Sequence, residues 1–126
     1  RARIALLGIA QIPNTKSPPK TAVRELAAML EAKGAKVSLH DPYFSHEELT
    51  EITHPFKRGL TEVVEGTDCI IILTGHDQFR RLNLKKLKVI MKKPAAIVDL
   101  EGIIEPDNIE KEGFTYRGLG RGVWKR

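Results

Sequence analysis

Residues 68–74, Asp-Cys-Ile-Ile-Ile-Leu-Thr, constrain this chain more than any other segment. An unbroken apolar run rich in β-branched residues, set between Gly66-Thr67 and Gly75, is the pattern of a strand buried on both faces. Such a strand needs neighbouring strands along its edges and helices over each face. The remaining sequence supplies both in alternation. Residues 3–7 form a short apolar run stopped by Gly8, and residues 37–40 form a second one ended by Asp41-Pro42. Further strands are predicted over residues 95–99 and 114–118.

Helices fall between these runs. Val23, Leu26, Ala27 and Leu30 repeat at helical spacing within a predicted helix over residues 20–33, which Gly34 closes. Pro19 suits the first turn of that helix. A short helix is expected over residues 58–64, closed by Gly66. An amphipathic one is expected over residues 83–91, with Leu84, Leu87, Ile90 and Met91 on its apolar side. A turn or two is expected over residues 107–112, whereas residues 45–56 are polar and read as irregular or weakly helical. Alternating strands and helices with right-handed crossovers define an α/β, Rossmann-like three-layer sandwich with a mainly parallel sheet of five to six strands. The ligand crevice of such a fold lies at the carboxyl ends of the strands, where residues 9–19, 41–45, 74–78 and 99–103 form the loops.

The 126 residues, 41% hydrophobic, make one domain large enough to bury a core. No segment approaches the run of about 18 apolar residues that marks a membrane span. The chain opens on Arg1-Ala2-Arg3 with neither an initiator Met nor a signal-peptide pattern, and is expected to be part of a longer protein. The single Cys69 excludes an internal disulfide framework and fits a cytoplasmic setting. In the middle of a buried strand it reads as an inert apolar side chain. His40, His46 and His54 have no metal-ligand spacing with it, so no metal site is expected. The net charge of +5 favours anionic partners. Lys85, Lys86, Lys88, Lys92 and Lys93 read as solvated helix faces, and no nucleic-acid-binding pattern accompanies them.

The first loop is not a dinucleotide fingerprint, because Gly8-Ile9-Ala10-Gln11-Ile12-Pro13 stands where G-x-G-x-x-G would be needed. It nevertheless leads into a helix N-terminus, whose N–H groups and dipole favour a phosphate. Gln11, Asn14, Thr15, Lys16 and Ser17 are candidate donors; Ser17 or Thr21 is alternatively a helix cap. Asp41 after the second strand is either a ribose-binding acid or a turn starter. His76 and Asp77 are adjacent in sequence and do not orient one another, so Thr74 or Asp77 is expected to cap the next helix. Arg121, within Gly118-Leu119-Gly120-Arg121-Gly122, is either a phosphate clamp or part of a solvated tail.

Taken in order, several segments resemble one family. They are Gly8-Ile9-Ala10 with Pro13-Asn14-Thr15, Glu25 to Gly34, His40-Asp41-Pro42-Tyr43, Asp68 to Thr74, His76-Asp77-Gln78-Phe79, Val98-Asp99 and Tyr116-Arg117-Gly118-Leu119-Gly120-Arg121. Together they are similar to the C-terminal, UDP-binding domain of the UDP-glucose/GDP-mannose dehydrogenase family. The resemblance implies a nucleotide-sugar-binding domain, residues 1–126, of an NAD-dependent UDP-sugar 6-dehydrogenase. Such an enzyme oxidises the C6 alcohol of UDP-glucose or UDP-N-acetylmannosamine to the carboxylate.

It further implies that NAD and the catalytic thiol belong to a separate N-terminal domain, leaving no catalytic residue here. The expected partners are therefore the UDP-sugar and that N-terminal domain, with no nucleic acid and no membrane, and with homo-oligomerisation left open. On this resemblance the loop from Gln11 to Ser17 holds the diphosphate, Asp41 and Tyr43 lie near the nucleoside, and Arg121 is an auxiliary clamp. The chain departs from the family where Ile12 replaces a Lys, where the loop after Thr15 is shortened with loss of an Arg, and where Glu101 replaces an Arg. These departures motivate an alternative: a non-catalytic module that keeps the fold for regulation or subunit contact.

Overall fold

The computed structural model describes residues 2–45 and 55–118. Five strands, β1 (Arg3–Leu7), β2 (Lys36–His40), β3 (Cys69–Ile72), β4 (Ala96–Asp99) and β5 (Thr115–Gly118), form one sheet in the order β2-β1-β3-β4-β5. Every pairing is parallel. The order reverses between β1 and β3, so the crevice of this doubly wound sheet opens above the ends of those two strands.

The helices are α1 (Thr21–Ala32), α2 (Leu60–Val64), α3 (Asp77–Arg80), α4 (Leu84–Ile90) and α5 (Pro106–Lys111). Alternation along the strands sorts the core into two layers. Ile4 and Leu6 of β1, Val37 and Leu39 of β2 and Ile71 of β3 pack with Val23 and Ala27 of α1. Ala5, Leu7, Ile70, Ile72 and Ile97 face the other way, toward Val63 and Val64 of α2, Phe79 of α3, Leu87 of α4 and Ile109 of α5. The central strands β1 and β3 therefore bury both faces, as their apolar runs require.

Boundaries differ from the sequence expectations by a few residues. Pro19 lies ahead of α1 rather than in its first turn, and Lys20 is the N-cap residue. Neither Ser17 nor Thr21 caps this helix, since no side chain does so. Ser17 Oγ instead accepts the Ile12 N–H at 2.8 Å and closes the loop on itself. Asn83 caps α4 through Oδ1, which accepts the Lys86 N–H at 3.1 Å. The expectation for residues 45–56 falls largely outside the described residues. The described part, at Pro55–Lys57, flanks β2, with Leu39 N–H bonded to the Pro55 carbonyl and Lys57 N–H to the Leu39 carbonyl, each at 2.8 Å.

Candidate functional site

The end of β1 turns sharply at Gly8, whose φ of +107° is open to glycine and strained for other residues. The next two N–H groups point inward. Ile9 and Ala10 donate to Asp41 Oδ2 at 2.7 and 3.0 Å, while the Tyr43 N–H donates to Oδ1 at 2.8 Å. His76 Nε2 lies 3.0 Å from the same Oδ2. Asp41 is 1% exposed and His76 fully buried, so four donors converge on one buried carboxylate. That satisfies a charge which would be costly to bury alone.

His76 carries the network onward. Its Nδ1 accepts the Asn14 N–H at 2.8 Å, and Asn14 Oδ1 accepts the Asp77 N–H, also at 2.8 Å. Asn14 sits at φ +61°, a left-handed position that asparagine tolerates better than most residues. The loop between β1 and α1 is thereby joined to the turn between β3 and α3. A further tie runs from Thr74 Oγ1 to the Ala10 carbonyl at 2.7 Å, and Lys20 Nζ donates to the Leu73 carbonyl.

The fourth loop is organised separately. Asp99, fully buried at the end of β4, accepts the Glu101 N–H through Oδ1 at 3.1 Å and the Ile104 N–H through Oδ2 at 2.9 Å. A Cβ on Gly75 would stand 3.7 Å from Glu101 Oε1, so this acid reaches the turn after β3.

These positions revise several expectations. The Asp41 carboxylate is turned inward with both oxygens taken by N–H donors, an anchor for the loops rather than a group presented to ribose. His76 does act with an aspartate, but with Asp41, 35 residues away, rather than with its neighbour Asp77. Neither Thr74 nor Asp77 caps α3 with its side chain; the first N–H of that helix is capped by Asn14 from the distant loop. Gln11, Asn14, Thr15 and Lys16 are exposed, and Ser17 is buried beneath them. The Thr15 hydroxyl donates to the Ile12 carbonyl at 2.9 Å, which tightens the loop further. Tyr43 is 38% exposed, with its ring centroid 4.8 Å from that of His76. Arg121 lies outside the described residues.

The cluster also bears on a nicotinamide dinucleotide, the cofactor the resemblance implies. In a dinucleotide site the N–H groups after β1 hold the pyrophosphate. Here Ile9 and Ala10 spend theirs on Asp41, and the space a side chain would take at Gly8 is occupied by Thr74. The first loop does not fit NAD in that manner. Among the described residues no group of three or more His, Cys, Asp or Glu could hold a metal ion, and no helix is long and apolar enough to cross a membrane.

An all-parallel sheet ordered 2-1-3-4-5, whose switch-point loops are locked together by an internal carboxylate, defines an α/β nucleotide-binding-type domain without the dinucleotide fingerprint. The chain belongs to the UDP-glucose/GDP-mannose dehydrogenase family, whose UDP-binding-domain model matches residues 5–106. Among relatives, a UDP-N-acetyl-D-mannosamine dehydrogenase of Methanococcus maripaludis is 30% identical, with 98% of this chain and 28% of that protein covered. A UDP-glucose 6-dehydrogenase of Rhizobium meliloti is 32% identical, with 95% and 28% covered. The crystal structure of an NDP-N-acetyl-D-galactosaminuronic acid dehydrogenase from Methanosarcina mazei superposes with a TM-score of 0.87 at 30% identity, over 99% of this chain and 26% of that one. The chain thus spans about 28% of the length of the relatives it matches.

Proposed function

We propose that this chain is the C-terminal, nucleotide-sugar-binding domain of an NAD-dependent UDP-sugar 6-dehydrogenase that works in the cytoplasm. Its substrate is of the UDP-glucose or UDP-N-acetylmannosamine type, and NAD and the catalytic nucleophile come from an N-terminal domain. The observation that carries this reading is the clasped loop at the switch point. It presents Gln11, Asn14, Thr15 and Lys16 on the surface over Ser17, directly before α1, whose first turn has no side-chain cap and no acidic residue. A diphosphate laid against this loop meets Lys16 and the positive end of α1.

Tyr43 offers a partly exposed ring for the nucleoside, and Arg121 adds a second cation. Asp41 serves from beneath, holding the loop that does the gripping. The dehydrogenase names of the relatives support the reaction class. Oxidation of a primary alcohol to a carboxylate removes four electrons, so two NAD are reduced for each sugar.

Isothermal titration with UDP, GDP and UDP-N-acetylglucosamine tests the binding role. Saturable UDP binding is expected, and Lys16→Ala or Arg121→Ala should weaken it by about tenfold each, the equivalent of one charge-assisted hydrogen bond. UDP affinity indifferent to both substitutions would defeat the assignment of the grip. Full-length protein that reduces NAD with no nucleotide sugar would defeat the enzyme reading.

A further inference from the structure

We infer that His76 is the positioning residue of the nucleotide loop: a neutral imidazole in the Nε2–H form whose Nδ1 lone pair holds Asn14, and with it residues 11–17, in place. The inference rests on the proposed nucleotide role of those residues and goes beyond it, because His76 itself is fully buried and reaches no ligand.

The protonation state follows from the partners. A backbone N–H only donates, so the 2.8 Å contact from Asn14 N requires a lone pair on Nδ1. Asp41 Oδ2 is an acceptor already receiving two backbone N–H groups, so the 3.0 Å contact from Nε2 requires a proton on that nitrogen. One tautomer satisfies both contacts. The ring is held in orientation by Tyr43 on one side and Phe79 on another, with centroids at 4.8 and 5.4 Å.

The loop relies on this contact because it fixes the exposed tip at Asn14 to the buried turn between β3 and α3. Residues 11–16 are all exposed, and Ile12 is 57% exposed, so no apolar side chain from the tip is sunk into the core. Its ties to the rest of the fold include the paired bonds of Asn14 to His76 and Asp77, Gln11 N–H to the Pro18 carbonyl at 3.2 Å and Gln11 Nε2 to the Pro19 carbonyl at 3.5 Å. Of these, only the Asn14 pair crosses to the turn between β3 and α3. The bonds from Ile12 to Ser17 and from Thr15 to Ile12 are internal to the loop. Protonating Nδ1 would set one N–H against another and release Asn14. Nucleotide binding through this loop is therefore coupled to the neutral form of His76. The titratable groups around the ring are Asp41 in contact, Tyr43 against its face, His40 across Phe79 and Asp77 next along the chain.

The experiment uses the chain with 15N-labelled histidine. Imidazole shifts should report His76 as the Nε2–H tautomer near neutral pH, and the Asn14 amide should exchange slowly. His76→Asn places a carbonyl oxygen near the position of Nδ1 and should keep Asn14 protected. His76→Gln places its amide near Nε2 and should lose that protection while retaining the Asp41 contact. With UDP-N-acetylglucosamine, a diphosphate diester that does not titrate near neutrality, His76→Gln should bind about fivefold to tenfold more weakly than His76→Asn.

A protonated Nδ1 at neutral pH, or an Asn14 amide that exchanges freely in folded wild type, would overturn the inference even if no variant folds. Equal affinity and equal Asn14 protection in the two variants would also overturn it. If wild type binds no nucleotide, the proposed function fails, while the tautomer and exchange results still decide the role of His76 in holding the loop.

Discussion

Thr74 occupies the space that a side chain on Gly8 would need: a Cβ there would lie 2.6 Å from both Thr74 Cβ and the Thr74 backbone nitrogen. The ends of the two central strands are packed backbone to backbone at this point, and the Thr74 hydroxyl uses the proximity to bond the Ala10 carbonyl. Gly8→Ala should combine strain at φ +107° with a backbone clash that a rotamer change does not relieve. The expected loss is about 2–5 kcal/mol, from left-handed strain together with overpacking. Denaturant unfolding that shows a loss below about 1 kcal/mol would contradict the close approach.

Asp41→Asn should also destabilise the fold. The carboxylate accepts from Ile9, Ala10, Tyr43 and His76. An amide has one oxygen and brings an NH2 group into a shell of donors, leaving at least one buried N–H without an acceptor. A loss of about 2–4 kcal/mol is expected, with faster amide exchange at Ile9 and Ala10. A variant as stable as wild type, with those two amides still protected, would mean that the carboxylate is not the anchor described.

His40 makes stability depend on pH. Burial holds its pKa below the ordinary 6.5, against the Lys57 carbonyl, Asp41 and Glu62, which act to raise it. Nδ1 donates to the Lys57 carbonyl at 2.9 Å, and Nε2 is buried with no partner among the described residues. The native state thus favours the neutral ring, and as pH falls the unfolded chain takes the proton first. The stabilisation is complete above the unfolded value and is lost as pH falls through 6.5 toward the lower folded value, at no more than about 1.4 kcal/mol per pH unit. Denaturation of wild type and His40→Gln at pH 7.5, 6.5 and 5.5 checks this, because their difference should shrink toward acid. A constant difference would count against it.

Cys69 should be slow to react in the folded chain. Burial, with a smaller contribution from Asp68, pushes its thiol up to about 11, so little thiolate is present near pH 8. Ellman's reagent should modify it in step with global unfolding. Rapid modification under native conditions would show that the start of β3 opens on its own.

How much of this was legible beforehand follows from the range of each interaction. Val23, Leu26, Ala27 and Leu30 announce α1 because helical periodicity is local. The run from Cys69 to Leu73 announces a central strand because burial on both faces leaves no polar alternation. Those patterns, with the right-handed crossover, were enough for the layers and for the crevice edge, and the collinear segments were enough for the family. The helix caps were misread where a distant loop supplied the partner, as when Asn14, 63 residues away, took the N–H of Asp77.

The sequence by itself determined the alternation of strands and helices, the place of the candidate loops and the absence of a dinucleotide fingerprint, because each is written in neighbouring residues. Only the tertiary structure decided that Asp41 faces inward, that His76 rather than Asp77 works with an aspartate, and that Asn14 is clasped by both residues of the His76-Asp77 pair. Those contacts join residues 31–63 positions apart, and a side chain's choice between solvent and a buried acceptor is settled by which N–H groups the closed sheet brings beside it.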